Sequence, residues 1–262
     1  MECLFEEVTE TLSTNEDLMN RWRSNDLHLP VSRLAEHQTA GRGRRGNAWI
    51  SEKNNSLTFS LAYHFEAKTN LRTLQPLSLV VGLAILKSIA QYWNTDLDTL
   101  KSKGLGLKWP NDLYLGNAKL GGVLIESGQK TGGDPIWTII GVGLNLNDLK
   151  TPIDSTYLVS SLDQVNIPNK KVLDRLTLWK VITKQLIQEL DEFTNRGFVF
   201  EALNWNGFHI YHDQDVIVTE NQKIIQSGKV IGVDSQGALM LETPIGIQTV
   251  HNGNISIRSS IQ

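Results

Sequence analysis

The sequence predicts an α+β protein: a mixed β-sheet with helices packed on it, followed by a small β-barrel. Three observations carry this prediction. Alternating apolar runs cluster between residues 31 and 147, two segments at 74–93 and 171–193 keep a helical period, and beyond residue 207 the texture turns to short strands punctuated by turn residues. The change divides the chain into a main unit, 1–207, and a C-terminal unit, 208–262. A length of 262 residues suits one large domain with a small appendage.

Taken in order, Ser13 and Glu16 match a capping box, with Leu18, Met19 and Trp22 on one apolar face behind it. Residues 13–25 should therefore form a helix whose N-terminus faces something. VSRLAEHQ (31–38) is a strand, GRGRRGN (41–47) a glycine- and arginine-rich loop, and SLTFSLAYHF (56–65) an alternating strand. Residues 74–93 form a helix, with Pro76 near the first turn, where a missing N–H costs little. Its LSLVVGLAILKSIA run is broken at Lys87, short of the roughly 18 apolar residues a membrane span needs, so it reads as a buried helix with no membrane partner.

LGLKWPNDLYL (105–115), KLGGVLIES (119–127) and WTIIGVGLNLN (137–147) are three strand-like runs, separated by the turn Gly116-Asn117 and the loop GQKTGGDP. Apolar positions from Val172 and Leu173 through Trp179, Leu186 and Phe193 give the second long helix. In the tail, DVIVT, KIIQSGKVIGV, ALMLET, IQTVH and ISIR are five short strands. Turns at Ser235-Gln236-Gly237, Pro244-Ile245-Gly246 and Asn252-Gly253 suggest that they close into a barrel.

Hydrophobic residues make up 40% and charged residues 20% of the chain, which describes a globular protein. With 25 Lys and Arg against 28 Asp and Glu, a net charge of −3 gives no global field for a polyanion, so phosphate binding must be local. Cys3 is the one cysteine, which excludes an internal disulfide, and the first residues lack the pattern of a signal peptide; both predict a cytoplasmic protein. His209 and His212 are closely spaced but have no completing ligand cluster, so no metal site is expected. The absence of G-x-S-x-G, P-loop and H-E-x-x-H motifs removes the commonest hydrolase and NTPase readings.

Four segments carry chemistry. Gly41-Arg42-Gly43-Arg44-Arg45-Gly46 matches the dinucleotide fingerprint formally, but a polar lead-in and a following strand replace the strand and helix that fingerprint needs. Three arginines on a glycine-freed backbone make instead a cationic flap for an anion such as a nucleotide phosphate; a solvated surface loop or a nucleic-acid contact would look similar. In Lys108-Trp109-Pro110-Asn111-Asp112, polar residues after a proline inside an apolar strand point to a functional bend. Lys119-Leu120-Gly121-Gly122 follows seven residues on, so two lysines and an aspartate could converge across a hairpin, or form only an exposed salt bridge. Gly141-Val142-Gly143-Leu144-Asn145 ends a strand with small residues and an amide, able to admit a planar base or merely to end the strand.

In this order, Ser13-Thr14-Asn15, Gln38, GRGRRG with Trp49, KWPND, KLGG and GVGLN resemble the segments of biotin protein ligases, also called biotin–[acetyl-CoA-carboxylase] ligases. The match covers about residues 8–147, and the tail resembles the family's SH3-like C-terminal domain. Between Asn147 and Pro168 it fades, and a family adenylate-binding loop is hard to place there. The resemblance implies a class II synthetase-like catalytic fold that joins biotin to ATP and passes it to a lysine of a biotin carboxyl carrier protein of acetyl-CoA carboxylase or a related carboxylase.

It further implies that Ser13, Thr14 and Asn15 hold the ureido ring with Gln38 nearby, and that Gly121 and Gly122 border biotin. Arg42, Arg44 and Arg45 would form the flap over the adenylate, Arg42 touching it most directly, with Trp49 on the base side. Lys119 would bridge the biotin carboxylate and the α-phosphate; Lys108, Asn111 and Asp112 would line the ATP side, Arg258 would add a nucleotide contact, and Asn145 would meet the adenine edge or ribose. Arg42, Lys108, Asp112 and Lys119 would be the catalytic set; the sequence assigns no general base, Asp112 being one candidate, and Mg²⁺ would arrive with ATP, held by phosphates and water. Assembly as monomer or homodimer stays open. The first motif begins at Ser13, which predicts no winged helix-turn-helix, no DNA partner and no repressor role.

The rival enzyme is a lipoate ligase or octanoyltransferase, against which the pairing of GRGRRG with KWPND favours biotin. A nucleic-acid-binding module would explain GRGRRG and a small barrel, but the acidic net charge counts against it. A catalytically dead scaffold is opposed by the intact triplet at 13–15, Arg42 and Lys119.

Overall fold

The computed structural model describes residues 2–67, 69–149, 157–221, 223–251 and 255–260. Strands β1 (Leu4–Thr11), β2 (Val31–Gln38), β3 (Ser56–Phe65), β4 (Leu105–Lys108), β5 (Asp112–Leu115), β6 (Ala118–Gly128) and β7 (Ile136–Asn145) form one sheet in the order β1-β2-β3-β7-β6-β5-β4. β1 and β2 run parallel and the other neighbours antiparallel, so the sheet is mixed, as predicted. The parallel pair requires a crossover, and helix α1 (Thr14–Arg23) supplies it.

α1 covers one face of the sheet, where Leu18 and Met19 pack with Val31, Ala62 and Ile139. Helices α2 (Leu77–Trp93) and α4 (Arg175–Arg196) pack on each other and bury Leu83, Leu86, Trp179, Ile182 and Leu190 in the main core. Covering on both sides explains why β3 is buried along nearly its whole length rather than at alternate positions. The helical stretch Leu71–Trp93 is long and apolar enough to cross a membrane, but 78% of its apolar window is buried within the protein, as expected of a core helix.

The five tail strands are present as β8 (Asp215–Glu220), β9 (Lys223–Val233), β10 (Leu239–Thr243), β11 (Gly246–Val250) and β12 (Ile255–Ser259). They form an antiparallel sheet in the order β11-β10-β9-β8-β12; among the described residues β11 and β12 do not pair, so the expected closure into a barrel is not seen. The predicted turn at Asn252-Gly253 lies outside the described residues. This sheet is tied to the main unit by Trp109 Nε1 donating to the Gly237 carbonyl (2.9 Å), Ile210 N to the Leu107 carbonyl (2.9 Å) and Val233 N to Asn206 Oδ1 (3.0 Å), the last amide standing on helix α5 (Val199–Phe208).

Several local expectations change. The run 105–115 is two strands, β4 and β5, because the Trp109-Pro110-Asn111 segment, with a cis Trp109–Pro110 bond, is the bend of a hairpin in which Lys108 pairs with Asp112. Strand β1 and the short helix α3 (Leu97–Ser102) had no sequence signal. α4 starts later than its apolar period, since Asp174 caps it by accepting from Thr177 N (2.8 Å), and Val172 before the cap is 90% exposed. Ser13 does occupy the N-cap of α1, but its side chain makes no capping bond and Glu16 turns outward to Arg23 and Arg42. The predicted capping box is therefore unformed.

Candidate active site

One cavity of about 580 Å³ opens where the N-terminus of α1, the glycine-rich flap, the β4–β5 hairpin, β6, β7 and β12 meet. Its floor is polar and uncharged. Ser13, Thr14 and Asn15 are almost fully buried. Gln38 Oε1 accepts from Thr14 N (2.7 Å) and from the Thr14 hydroxyl (3.1 Å), which also lies 2.7 Å from Ser60 Oγ. Ser60 Oγ donates to Asn15 Oδ1 (2.6 Å), and Asn15 Nδ2 donates to Glu126 Oε2 (2.9 Å). A carboxylate can only accept, so Glu126 fixes which way round the Asn15 amide sits. Gly141 lies beneath that amide: a Cβ there would stand 2.4 Å from Asn15 Oδ1.

The opposite end is cationic. Arg44, Arg45, Lys108, Lys119 and Arg258 line it, with Arg42 at the rim, and Asp112 is the lone carboxylate among the described lining residues, a local excess of positive charge in a chain whose net charge is −3. Lys119 Nζ is 2.9 Å from Asp112 Oδ1. A bulge makes this possible: Tyr114 pairs with Lys119 but Leu113 with Gly121, so Leu120 is an extra residue on β6 and strand parity shifts past it. Lys119 and Gly122 then face the same cavity, and Gly122, whose Cβ would stand 3.1 Å from Asp112 Oδ1, leaves the room in which lysine and aspartate meet. Lys108 Nζ lies 3.3 Å from the Tyr114 hydroxyl and over the rings of Tyr114 and Tyr211. Burial lowers its pKa, with Lys119 and Arg258 acting the same way and Asp112 opposing.

The flap, residues 41–49, is a small closed loop: Trp49 N donates to the Gly41 carbonyl (2.9 Å), Gly43 N to the Asn47 carbonyl (2.7 Å), and Arg42 bridges Ala48. Its three arginines diverge. Arg44 Nη1 donates to Asn111 Oδ1 (3.0 Å), and burial, then the neighbouring Arg45, pulls its pKa below the usual arginine value. Arg45, in the left-handed region at φ +59°, donates to Ser256 Oγ (3.0 Å) on β12. Arg42 remains at the rim, paired with Glu16 (2.7 Å) and with Glu126. Arg44 thus turns to Asn111, while two carboxylates hold Arg42 at the rim of the cavity.

The sequence pattern of the Biotin/lipoate A/B protein ligase family matches residues 7–145, and that of the biotin protein ligase C-terminal domain matches residues 211–258. The chain is 31% identical over 251 residues to the bifunctional ligase/repressor BirA of Escherichia coli, covering 95% of this chain and 72% of that one. The chain belongs to this family, as a biotin protein ligase. The biotin–[acetyl-CoA-carboxylase] ligase of Mycobacterium tuberculosis is 35% identical over 147 residues, 56% of this chain and 51% of that protein. The biotin protein ligase of Aquifex aeolicus, solved with biotin and ATP, superposes with a TM-score of 0.78 at 26% identity, covering 98% of this chain and 99% of that one.

In this biotin protein ligase the cavity collects Ser13, Thr14, Asn15, Gln38, Arg42, Arg44, Arg45, Trp49, Lys108, Asn111, Asp112, Lys119, Gly122 and Arg258 from the sequence-derived set. Two are placed elsewhere. Asn145 is buried and donates from Nδ2 to the Ser160 carbonyl (2.9 Å), so its amide is committed to backbone rather than facing the cavity. Gly121 also lies off the cavity; a Cβ there would stand 2.5 Å from Leu144, so it serves the packing of β6 on β7. Gly143, expected to admit a base, instead lies under the Trp49 ring, 2.3 Å from where a Cβ would be.

Sequence reasoning missed Ser60, Glu126, Tyr114 and Tyr157. Glu126 falls in an apolar strand run, where an acidic residue among β-branched neighbours is the one available signal. Tyr157, 5.4 Å from Lys119 Nζ across its ring, belongs to the stretch 147–168 in which the adenylate-binding loop was sought; residues 150–156 of that stretch lie outside the described residues.

Proposed function

We propose that this biotin protein ligase forms biotinyl-5′-AMP in the cavity and then biotinylates a carrier lysine. The observation that carries the reading is the polarity of the cavity: a neutral hydrogen-bonding floor at one end and, among the described residues, a cluster of cations around Asp112 at the other. The floor suits the ureido ring of biotin, which offers a carbonyl and two N–H groups; lipoate and octanoate have no polar group at that end to repay burial against Thr14, Asn15 and Gln38. The cationic end suits a triphosphate and a carboxylate.

In the first step a biotin carboxylate oxygen attacks the α-phosphorus, a P–O bond forms, and the bond to the β-phosphate oxygen breaks with release of pyrophosphate. In the second the carrier amine attacks the carbonyl carbon of the mixed anhydride, losing a proton as AMP leaves. Lys119 would hold the two anions together, and Arg44 and Lys108 would stabilise the charge on the phosphates. Asp112, bound to Lys119, orients that lysine. Mg²⁺ would come with ATP as part of the substrate, held by phosphates and water.

The carrier is proposed to be the biotin carboxyl carrier protein of acetyl-CoA carboxylase or a related carboxylase, and the location cytoplasmic, where ATP is supplied. The division into a catalytic unit, 1–207, and a C-terminal unit, 208–262, is part of this reading, with β12 closing the nucleotide end. Pyrophosphate exchange into ATP, compared with biotin, lipoate, octanoate and no acid, tests it. Exchange with biotin alone supports the reading, exchange with lipoate moves the chain to the rival ligases, and none with any acid removes the activating step.

A further inference from the structure

We infer that Glu126 is a positioning residue that joins the cavity floor to the flap, one carboxylate oxygen for each. This deepens the proposed biotin site and rests on it for the identity of the floor's ligand. Oε2 accepts from Asn15 Nδ2 (2.9 Å) and Oε1 from Arg42 Nη2. Asn15 has its other amide atom on Ser60 Oγ (2.6 Å), so removing Glu126 leaves Nδ2 with only the long contact to the Leu124 carbonyl (3.5 Å). Arg42 has its second partner in Glu16 Oε2 (2.7 Å) on α1, so the guanidinium pins the base of the flap between a helix and a strand.

The side chain of Glu126 is 25% exposed and does not line the cavity, so it acts through Asn15 and Arg42 rather than on substrate. The two oxygens can be separated chemically. A glutamine keeps an acceptor for Asn15 but loses the charge that binds Arg42; an alanine loses both; Glu16→Gln weakens the pin on Arg42 and does not touch Asn15.

The test uses the intact protein and two readouts, tryptic cleavage within the flap without any ligand, and biotin binding by titration calorimetry. Cleavage should accelerate about threefold or more in Glu126→Gln, Glu126→Ala and Glu16→Gln, as expected when a local tether is lost. Biotin affinity should fall about tenfold in Glu126→Ala, the size of one charge-assisted hydrogen bond, while Glu126→Gln and Glu16→Gln stay within about twofold of the parent. A purely structural role would move both readouts together in all three variants. Unchanged cleavage in Glu126→Gln, or equal loss of biotin affinity in Glu126→Gln and Glu126→Ala, would overturn the inference. A parent protein that binds no biotin would overturn the functional reading and the ligand half of the inference with it, and the cleavage ratios would still decide the flap half.

Discussion

Lys119 and Asp112 reach each other at 2.9 Å only because β6 carries one residue more than β5 between them. The lysine is therefore held by a carboxylate across a bulged hairpin, and three residues of the cavity, with one buried histidine off it, can be tested by single substitutions.

Lys119→Ala removes the cation proposed to lie between the two anions. Pyrophosphate exchange should fall by about a hundredfold or more, in the range found when a group that stabilises transition-state charge is deleted. Circular dichroism and thermal melting should stay close to those of the parent, because Lys119 is at the cavity and not in the core. Turnover equal to the parent's would remove Lys119 from the mechanism.

Lys108 loses its proton more readily than an ordinary lysine because it is buried. Activity that depends on its charge should decline on the alkaline side at a pH below the usual lysine range near 10.4. Lys108→Arg keeps the charge to higher pH, so whatever activity it retains should have its alkaline limb displaced upward. A limb that does not move between the two proteins assigns that titration to another group.

Gly141→Ala would place a methyl group 2.4 Å from Asn15 Oδ1. The amide must rotate away from Ser60, and biotin affinity should drop by about tenfold, comparable to one lost buried hydrogen bond, as read by calorimetry. The apparent KM for ATP should change far less, since the cationic end is untouched. Equal losses for both substrates would show that the glycine acts on the whole sheet.

His209 is buried between Trp205 and Tyr211, and neither ring nitrogen has a hydrogen-bond partner among the described residues. Burial, reinforced by His212 and Lys108, pushes its pKa down to about 3. Unfolded, the imidazole takes a proton near pH 6.5, so between about 6.5 and 3 the unfolded chain binds more protons and stability is lost as pH falls, by at most about 1.4 kcal/mol per pH unit. His209→Phe, which keeps the stack on Trp205, should melt with a weaker pH dependence over that window. Identical slopes of melting temperature against pH would show that His209 does not set acid lability.

What was legible in the sequence depended on how local its cause is. The α1 N-terminus, the flap and the five tail strands follow from glycines, turn residues and apolar period, all read within a few positions. Where each flap arginine turns is not local: Arg42 is kept at the rim by Glu16 and Glu126, the latter 84 residues away, and Arg44 is left to meet Asn111. The same holds for Asn145, whose amide is taken by the Ser160 carbonyl, and for the paired glycines of 141–143, whose space is filled by Asn15 and Trp49. β1 escaped detection because its burial is slight along most of its length, as suits a strand at the edge of a sheet.

The hydrogen bond from Arg45 to Ser256 spans 211 residues, whereas that from Thr14 to Gln38 spans 24. On a ribosome Thr14 meets Gln38 soon after it emerges, but Asn15 must wait for Glu126, 111 residues on, and the flap cannot reach Ser256 until β12 has been made and docked. The order of synthesis thus finishes the floor before the flap: a growing chain can set the amide of Asn15 only once β6 is in place, and can tether Arg45 only after β12.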